Sequence, residues 1–173
     1  MPRIGLISDT HGYLDPKVFD YFKECDEVWH AGDFGEGVAG QLRNFKPLRG
    51  VFGNIDGQII RSDFPEELFF ECGGMKVLMI HIGGSPGHYY PQAKKLIDLH
   101  RPSLFICGHS HILKVMHDKN HHMLYMNPGA AGKHGFHKMR TVLRFKIDGK
   151  KIENLEAIEL GSRGVIESVD SKQ

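Results

Sequence analysis

The stretch LFICGHSH, Leu104–His111, decides how the rest of the chain is read. Its first four residues are apolar, with Phe105 and Ile106 at the centre, as expected of a strand buried on both faces. Gly108 then lets the backbone turn without a Cβ penalty, and His109 and His111 follow just past the strand end. Open α/β sheets place their chemistry at such ends. Two histidines on one short turn can supply imidazoles to one metal ion or to two adjacent ones, although paired histidines also occur as ordinary surface or core residues.

The same pattern, an apolar run ending in a polar ligand type, recurs on both sides of this stretch. Arg3–Ser8 is a strand candidate that runs into Asp9, Thr10, His11 and Gly12. Asp15 can cap a helix starting at Pro16, with Val18, Phe19 and Phe22 on its apolar face. Glu27–His30 reads as the next strand and ends in Ala31-Gly32-Asp33; Val38–Phe45 reads as a helix; Leu48–Phe52 reads as a strand closing in Gly53-Asn54. Strand, polar loop and helix in repetition argue for βαβ units and a mainly parallel sheet.

From Glu67 the rhythm changes. Leu68–Phe70 and Lys76–Ile80 flank Cys72-Gly73-Gly74 as a hairpin, and the second strand ends in His81. Pro91–His100 is a helix. Ile112–His117 with His122–Tyr125, and Thr141–Ile147 with Lys151–Glu159 across Asp148-Gly149, form two more hairpins. With hairpins dominating the second half, the order predicts a two-sheet α-β-β-α sandwich over residues 1–160, followed by a polar tail over 161–173. No Gly-x-Gly-x-x-Gly follows the first strand and there is no Walker loop, so dinucleotide and P-loop readings lack their anchor.

Composition bounds the function. A chain of 173 residues with 40% hydrophobic side chains has the size and the apolar content of one domain. A net charge of +1 supplies no general field toward nucleic acid or membrane, so no membrane partner is expected, nucleic acid is a poor candidate, and such binding could come only from a local patch. The opening MPRIGLISDTH reaches an acidic residue too soon for a signal peptide or a membrane helix, and three dispersed cysteines (Cys25, Cys72, Cys107) do not form a disulfide framework; a cytoplasmic setting is expected. Twelve histidines are the compositional oddity.

Five strand ends thus carry Asp9 and His11, Asp33, Asn54, His81, and His109 with His111. Each has an ordinary reading: Asp9 and Asp33 could bind turn N–H groups, Asn54 could tolerate a left-handed conformation, and His81 could be a satisfied core histidine. Their repetition at successive strand ends is what independent turn residues would not produce. Seven oxygen and nitrogen donors suit two borderline metal ions sharing a carboxylate, a pair that can acidify water and clamp a phosphoryl group for in-line attack.

The ordered set Asp9-Thr10-His11, Gly32-Asp33, Gly53-Asn54-Ile55-Asp56, His81, Gly108-His109-Ser110-His111 and Asn127-Pro128-Gly129-Ala130 resembles the calcineurin-like metallophosphoesterases over roughly residues 3–160. The likeness is to their small single-domain branch, which includes bacterial and archaeal phosphodiesterases and a eukaryotic retromer subunit. The resemblance implies one ion on Asp9, His11 and His111, a second on Asn54, His81 and His109, and Asp33 between them. It makes Asp33, Asn54, His81 and His109 the expected catalytic residues, gives Asp56 an orienting role, and implies hydrolysis of a small phosphate ester, a phosphodiester above all, by a metal-bridging hydroxide. Mn²⁺ is the preferred ion, with Zn²⁺ or Fe²⁺ as alternatives. A homo-oligomer is compatible with the sequence, which does not fix the oligomeric state, and the retromer-type relative makes a non-catalytic interaction scaffold the competing expectation. Three departures constrain the chemistry: Ile55 stands where larger relatives carry a histidine, His81 is followed by Ile82 rather than directly by glycine, and Ala130 replaces a serine. His88 in GSPGHYYP is read equally as part of a loop bordering the cleft or of an ordinary surface loop, and the basic run Lys133, His134, His137, Lys138 and Arg140 as a solvated face, with phosphate attraction as the alternative for that run.

Overall fold

The computed structural model describes residues 1–164. The first sheet is built from β1 (Arg3–Ile7), β2 (Glu27–His30) and β3 (Leu48–Gly50), which run parallel, and from the closing hairpin β11 (Met139–Asp148) and β12 (Lys151–Ser162), which joins antiparallel to β1. Its order is β12-β11-β1-β2-β3. The second sheet, in the order β4-β5-β8-β10-β9, takes β4 (Glu67–Cys72), β5 (Met75–Ile80), β8 (Leu104–Ile106), β9 (Leu113–Asp118) and β10 (Met123–Pro128). A two-stranded ribbon, β6 (Gly84–Ser85) with β7 (His88–Tyr89), lies in the loop after β5.

Side-chain alternation explains the layers. On β1, Ile4 and Leu6 point one way and meet Met75, Val77 and Met79 of β5, Leu104 and Ile106 of β8, and Trp29 of β2 between the sheets. Trp29 is fully buried there, edge-on to Phe70 at 5.0 Å, and its indole N–H donates to Glu27. The opposite face of the first sheet, with Ile7 and Val28, packs on α1 (Lys17–Tyr21), α2 (Val38–Phe45) and the residues around α3 (Gln58–Asp63) through Val18, Leu42 and Phe64. The outer face of the second sheet, with Leu78, Ile80 and Phe105, packs on α4 (Pro91–His100) through Ala93, Leu96 and Ile97. The expected α-β-β-α sandwich is the fold.

Two features differ from the sequence reading. The second sheet keeps a parallel centre, because β8 pairs parallel with both β5 and β10, the first of these joined through α4; hairpins supply only its edges. The helix α3 and the ribbon β6–β7 were not expected. No side chain of α3 is buried, so it leaves no apolar periodicity to read. The 161–173 tail begins inside β12, which ends at Ser162, and residues 165–173 lie outside those described. Phe64, Leu68 and Phe70 belong to the core or pack against it. Cys25, Cys72 and Cys107 are buried free thiols, and among the described residues no helix is long and apolar enough to cross a membrane.

The basic run divides. Arg140 is buried and does not belong to a solvated face: its Nη1 donates to Asp15 Oδ2 at 2.7 Å, and its Nε donates to the Ser162 carbonyl at 2.8 Å. Asp15 Oδ1 accepts the Lys17 N–H at the start of α1, so this carboxylate ties the first helix to the last hairpin. Burial opposes its ionisation, yet the Arg140 guanidinium outweighs that and holds its pKa below the usual carboxylate value. Arg140→Ala leaves Asp15 buried without its cation and is expected to cost about 3 kcal/mol of folding stability, measured by urea unfolding at constant metal load.

Candidate metal centre

The seven expected residues converge at the C-terminal ends of the parallel strands, where loops of both sheets meet. Backbone pairing carries β1 and β2 past their ends: Asp9 N donates to Gly32 O (2.9 Å), His11 N to Asp33 O (3.0 Å) and Gly12 N to Phe34 O (2.8 Å). The second sheet does the same, with Gly108 N donating to His81 O at 3.0 Å. Asp9, His11, Asp33, His109 and His111 all have positive φ, between 46° and 69°. Such backbone is uncommon outside glycine and is concentrated here at the residues that carry the polar groups. Close approach also demands glycine: a Cβ at Gly53 would strike the Asp33 carboxylate and backbone, and one at Gly108 would strike Ser8 Oγ and the Asp9 carboxylate.

Each carboxylate has one oxygen fixed and the other turned inward. Asp9 Oδ2 accepts Ser8 Oγ–H (2.5 Å) and His109 N–H (3.1 Å), leaving Oδ1 3.1 Å from His111 Nε2, 3.7 Å from His81 Nε2 and 3.8 Å from His11 Nε2. Asp33 Oδ1 accepts the Ile55 N–H (3.0 Å), leaving Oδ2 3.2 Å from His81 Nε2 and 3.4 Å from His11 Nε2. Asn54 Oδ1 lies 3.1 Å from His109 Nδ1. The donors fall into two groups, Asp9 with His11 and His111, and Asp33 with His81 and His109.

His81 tests whether this arrangement suits a cation. Its Nδ1 lies 2.7 Å from the Ala31 carbonyl, which can only accept, so Nδ1 carries the proton and the neutral ring presents a lone pair at Nε2. That nitrogen is buried without a hydrogen bond, as is His11 Nε2, and both face carboxylate oxygens that also have no proton to give. Lone pairs aimed at one another in a buried site repel unless a positive charge lies among them. A proton on His81 can play that part: burial opposes it, but the Asp33 and Asp9 carboxylates prevail and raise its pKa. A divalent ion plays it better. With bonds of about 2.1 Å, adjacent donors stand about 3 Å apart, close to the separations found here. The residues fit two such ions.

Several braces around the cluster carried weaker sequence signals. Asp56, an expected orienting residue, accepts N–H groups from Phe34, Gly35 and Gly53, and so joins the Asp33 loop to the Asn54 loop. Arg61, on the unanticipated α3, donates to the carbonyls of Asp56, Gly53 and Asn54. Asn127 donates to Gly108 O and Ser110 Oγ and accepts from Gly129 N–H, which fixes the loop bearing His109 and His111. Ala130 is fully buried, so the serine it replaces would not have faced solvent. Two residues of the basic run border the cluster: the His134 ring lies 4.8 Å from His11 and that of His137 5.2 Å from His111. His88 and Tyr90 line an adjoining lobe with His109 and Ser110.

His30 was read only as a strand residue. Its Nδ1 accepts the Gly32 N–H (3.1 Å), so Nε2 carries the proton and donates to Thr10 Oγ1 (3.0 Å), which in turn donates to Phe34 O. Complete burial lowers its pKa to about 3. Below pH 6.5 an unfolded His30 takes up a proton that the folded one refuses, so stability falls as pH drops from 6.5 toward 3. In chelator-treated protein, His30→Gln is expected to flatten this fall between pH 6.5 and about 4, before carboxylates titrate. Chemical denaturation at stepped pH measures it; an unchanged slope refutes the assignment.

Residues 2–150 match the calcineurin-like phosphoesterase superfamily domain. A probable metallophosphoesterase of Methanothermobacter thermautotrophicus is 28% identical over 172 residues, covering 92% of this chain and 93% of its own. Among solved structures, one described as a novel archaeal phosphodiesterase superposes with a TM-score of 0.73 at 22% identity, covering 91% of this chain and 99% of the other. Vps29 of Chaetomium thermophilum gives 0.72 at 14% identity, covering 92% and 97%. At such identities the two structures speak for the fold alone. The family match spans nearly all of the sandwich and every strand end in the cluster, and the chain accordingly belongs to the calcineurin-like phosphoesterase superfamily.

Proposed function

We propose that the protein hydrolyses small phosphodiesters with two divalent ions, Mn²⁺ for preference and Zn²⁺ or Fe²⁺ as alternatives. The observation that carries the reading is the pair of buried, unpartnered imidazole nitrogens, His11 Nε2 and His81 Nε2, each facing the inward oxygens of Asp9 and Asp33. Asp9, His11 and His111 would hold one ion; Asn54, His81 and His109 the other. Asp33 Oδ2, close to a nitrogen of each set, would belong to both. Bound there, the ions would acidify a water as nucleophile and draw charge from the phosphoryl oxygens.

The chain's own residues set the rest. Ser8 and the Ile55 and His109 amides hold the outer carboxylate oxygens, so the inner ones need no reorganisation during reaction. The Ala31 carbonyl keeps the His81 lone pair on Nε2. Ile55 lines the cleft beside Asn54 and has no proton to give a departing oxygen. Esters with good leaving groups are therefore favoured, and the partly exposed Ile55 and Ile112 leave an apolar rim for a second ester group, which supports diesters over monoesters. The competing scaffold reading draws on the likeness to Vps29, but a scaffold has no need of all seven donors.

Matched aryl mono- and diesters under one metal load are expected to show higher diester efficiency, with rates rising as the leaving-group pKa falls. A monoester preference, or turnover indifferent to metal, defeats the proposal. Two ions that support no hydrolysis, together with stable capture of a protein partner, favour the scaffold. Asp33→Asn removes the shared anion at nearly constant size and is expected to lower metal affinity by roughly 100-fold or more, with circular dichroism unchanged. Full metal binding and activity in the folded variant refute the shared role.

A further inference from the structure

Phe136 has no stabilising explanation. Burying a phenylalanine is worth about 1.5–3 kcal/mol, yet this ring is fully exposed. Its loop is not loosely attached. His137 Nε2 donates to the Gly132 carbonyl at 2.8 Å, Arg163 donates to the Gly135 carbonyl, and Gly135, at φ 131°, sits so close to His111 that a Cβ would strike the imidazole. The backbone is pinned against the candidate metal centre while the ring at its tip is left bare. Phe136, Ile112 and Ile55 line the same cleft as His11, Asp33 and Asn54, and all three apolar side chains are exposed. A charged centre that would hold an anion is thus bordered by an apolar rim carrying one aromatic face.

We propose that Phe136 is a specificity-determining residue that stacks on a flat aromatic ester group, such as a nucleobase, of a phosphate held at the metal centre. Stacking on an aromatic side chain tolerates any base, because every base presents a π-face. The apolar rim side chains Ile55, Ile112 and Phe136 offer no hydrogen-bonding group to a base edge, so this rim selects flatness rather than sequence. Unlike a protein-docking patch, the rim is continuous with the inward-facing donors, which fits a ligand that places an anionic end and an apolar end side by side.

This inference rests on the proposed metal-dependent phosphoesterase reading, and one pair of probes separates the failure of each. AMP and ribose 5-phosphate share sugar and phosphate and differ in the base. Titration calorimetry on Mn²⁺-loaded protein is expected to show AMP binding roughly tenfold tighter than ribose 5-phosphate. In Phe136→Ala the ratio should collapse toward one, and Phe136→Trp should restore it. Because the ring is exposed, none of these variants threatens folding. Metal-dependent binding of both probes with no preference in the wild type, or an unchanged ratio in Phe136→Ala, overturns the stacking role and leaves the phosphate centre standing. Binding of neither probe, or binding indifferent to metal, overturns the metal-phosphate reading and the inference together.

Discussion

The fold converges on one electrostatic problem: two buried carboxylates and several imidazoles point their lone pairs into a common space. Asp9 and Asp33 are almost wholly buried, and each turns one oxygen toward the Nε2 atoms of His11 and His81. In water such groups would be solvated; buried here they need cations, and the local structure is shaped to keep them in place. The outer oxygens are held by fixed donors, and the ligand-bearing backbone adopts left-handed conformations at five positions, each at some cost in free energy. That cost is borne by the two-sheet core behind the cluster, where Trp29, Met79 and Ile106 are sealed from solvent.

The cluster also joins the two sheets. Asp9, His11, Asp33 and Asn54 come from the first, and His81, His109 and His111 from the second. Polar contacts cross between them, among them His109 N to Asp9 Oδ2, His109 Nδ1 to Asn54 Oδ1, His111 Nε2 to Asp9 Oδ1, and His81 Nδ1 to the Ala31 carbonyl. The sandwich therefore closes over the site by polar contacts as well as by apolar packing. Placing the neutral, buried His30 behind the loops follows the same logic, because it links Gly32, Thr10 and Phe34 without adding another charge to an already crowded field.

Much of this was legible because the groups that matter interrupt a hydrophobic pattern. β2, α2 and α4 have the ends expected from the chain, since turn residues and apolar periodicity mark them locally. The seven polar residues at the strand ends could be read one by one, and all seven lie together. Parallel pairing of β8 with β5 and β10 was not legible, because neighbours in a sheet are chosen by global packing and leave no trace in a three-residue strand. Nor was α3, which sets only the partly buried Ile60 against the core and so carries no stripe, but whose Arg61 braces the Asn54 loop. Arg140 misled for the opposite reason: among lysines and histidines it reads as surface charge, and only the fold brings Asp15 to it across 125 residues.

Ile55 and the loop that carries His134, Phe136 and His137 line the cleft together, and their place at its mouth has a physical consequence. The inner donors are mutually constrained: moving Asp33 disturbs Ile55, Gly53 and two histidines at once. A rim side chain makes no such demands. Phe136 can be bare because its loop is held through the backbone, by the Gly132 and Gly135 carbonyls, so the identity of the tip residue is uncoupled from the position of the loop. Charge at the strand ends fixes what kind of group can be bound, whereas the exposed tips are free to decide what that group is attached to. In a sandwich whose core and cluster leave little latitude, selectivity has to reside in side chains whose replacement costs the fold nothing.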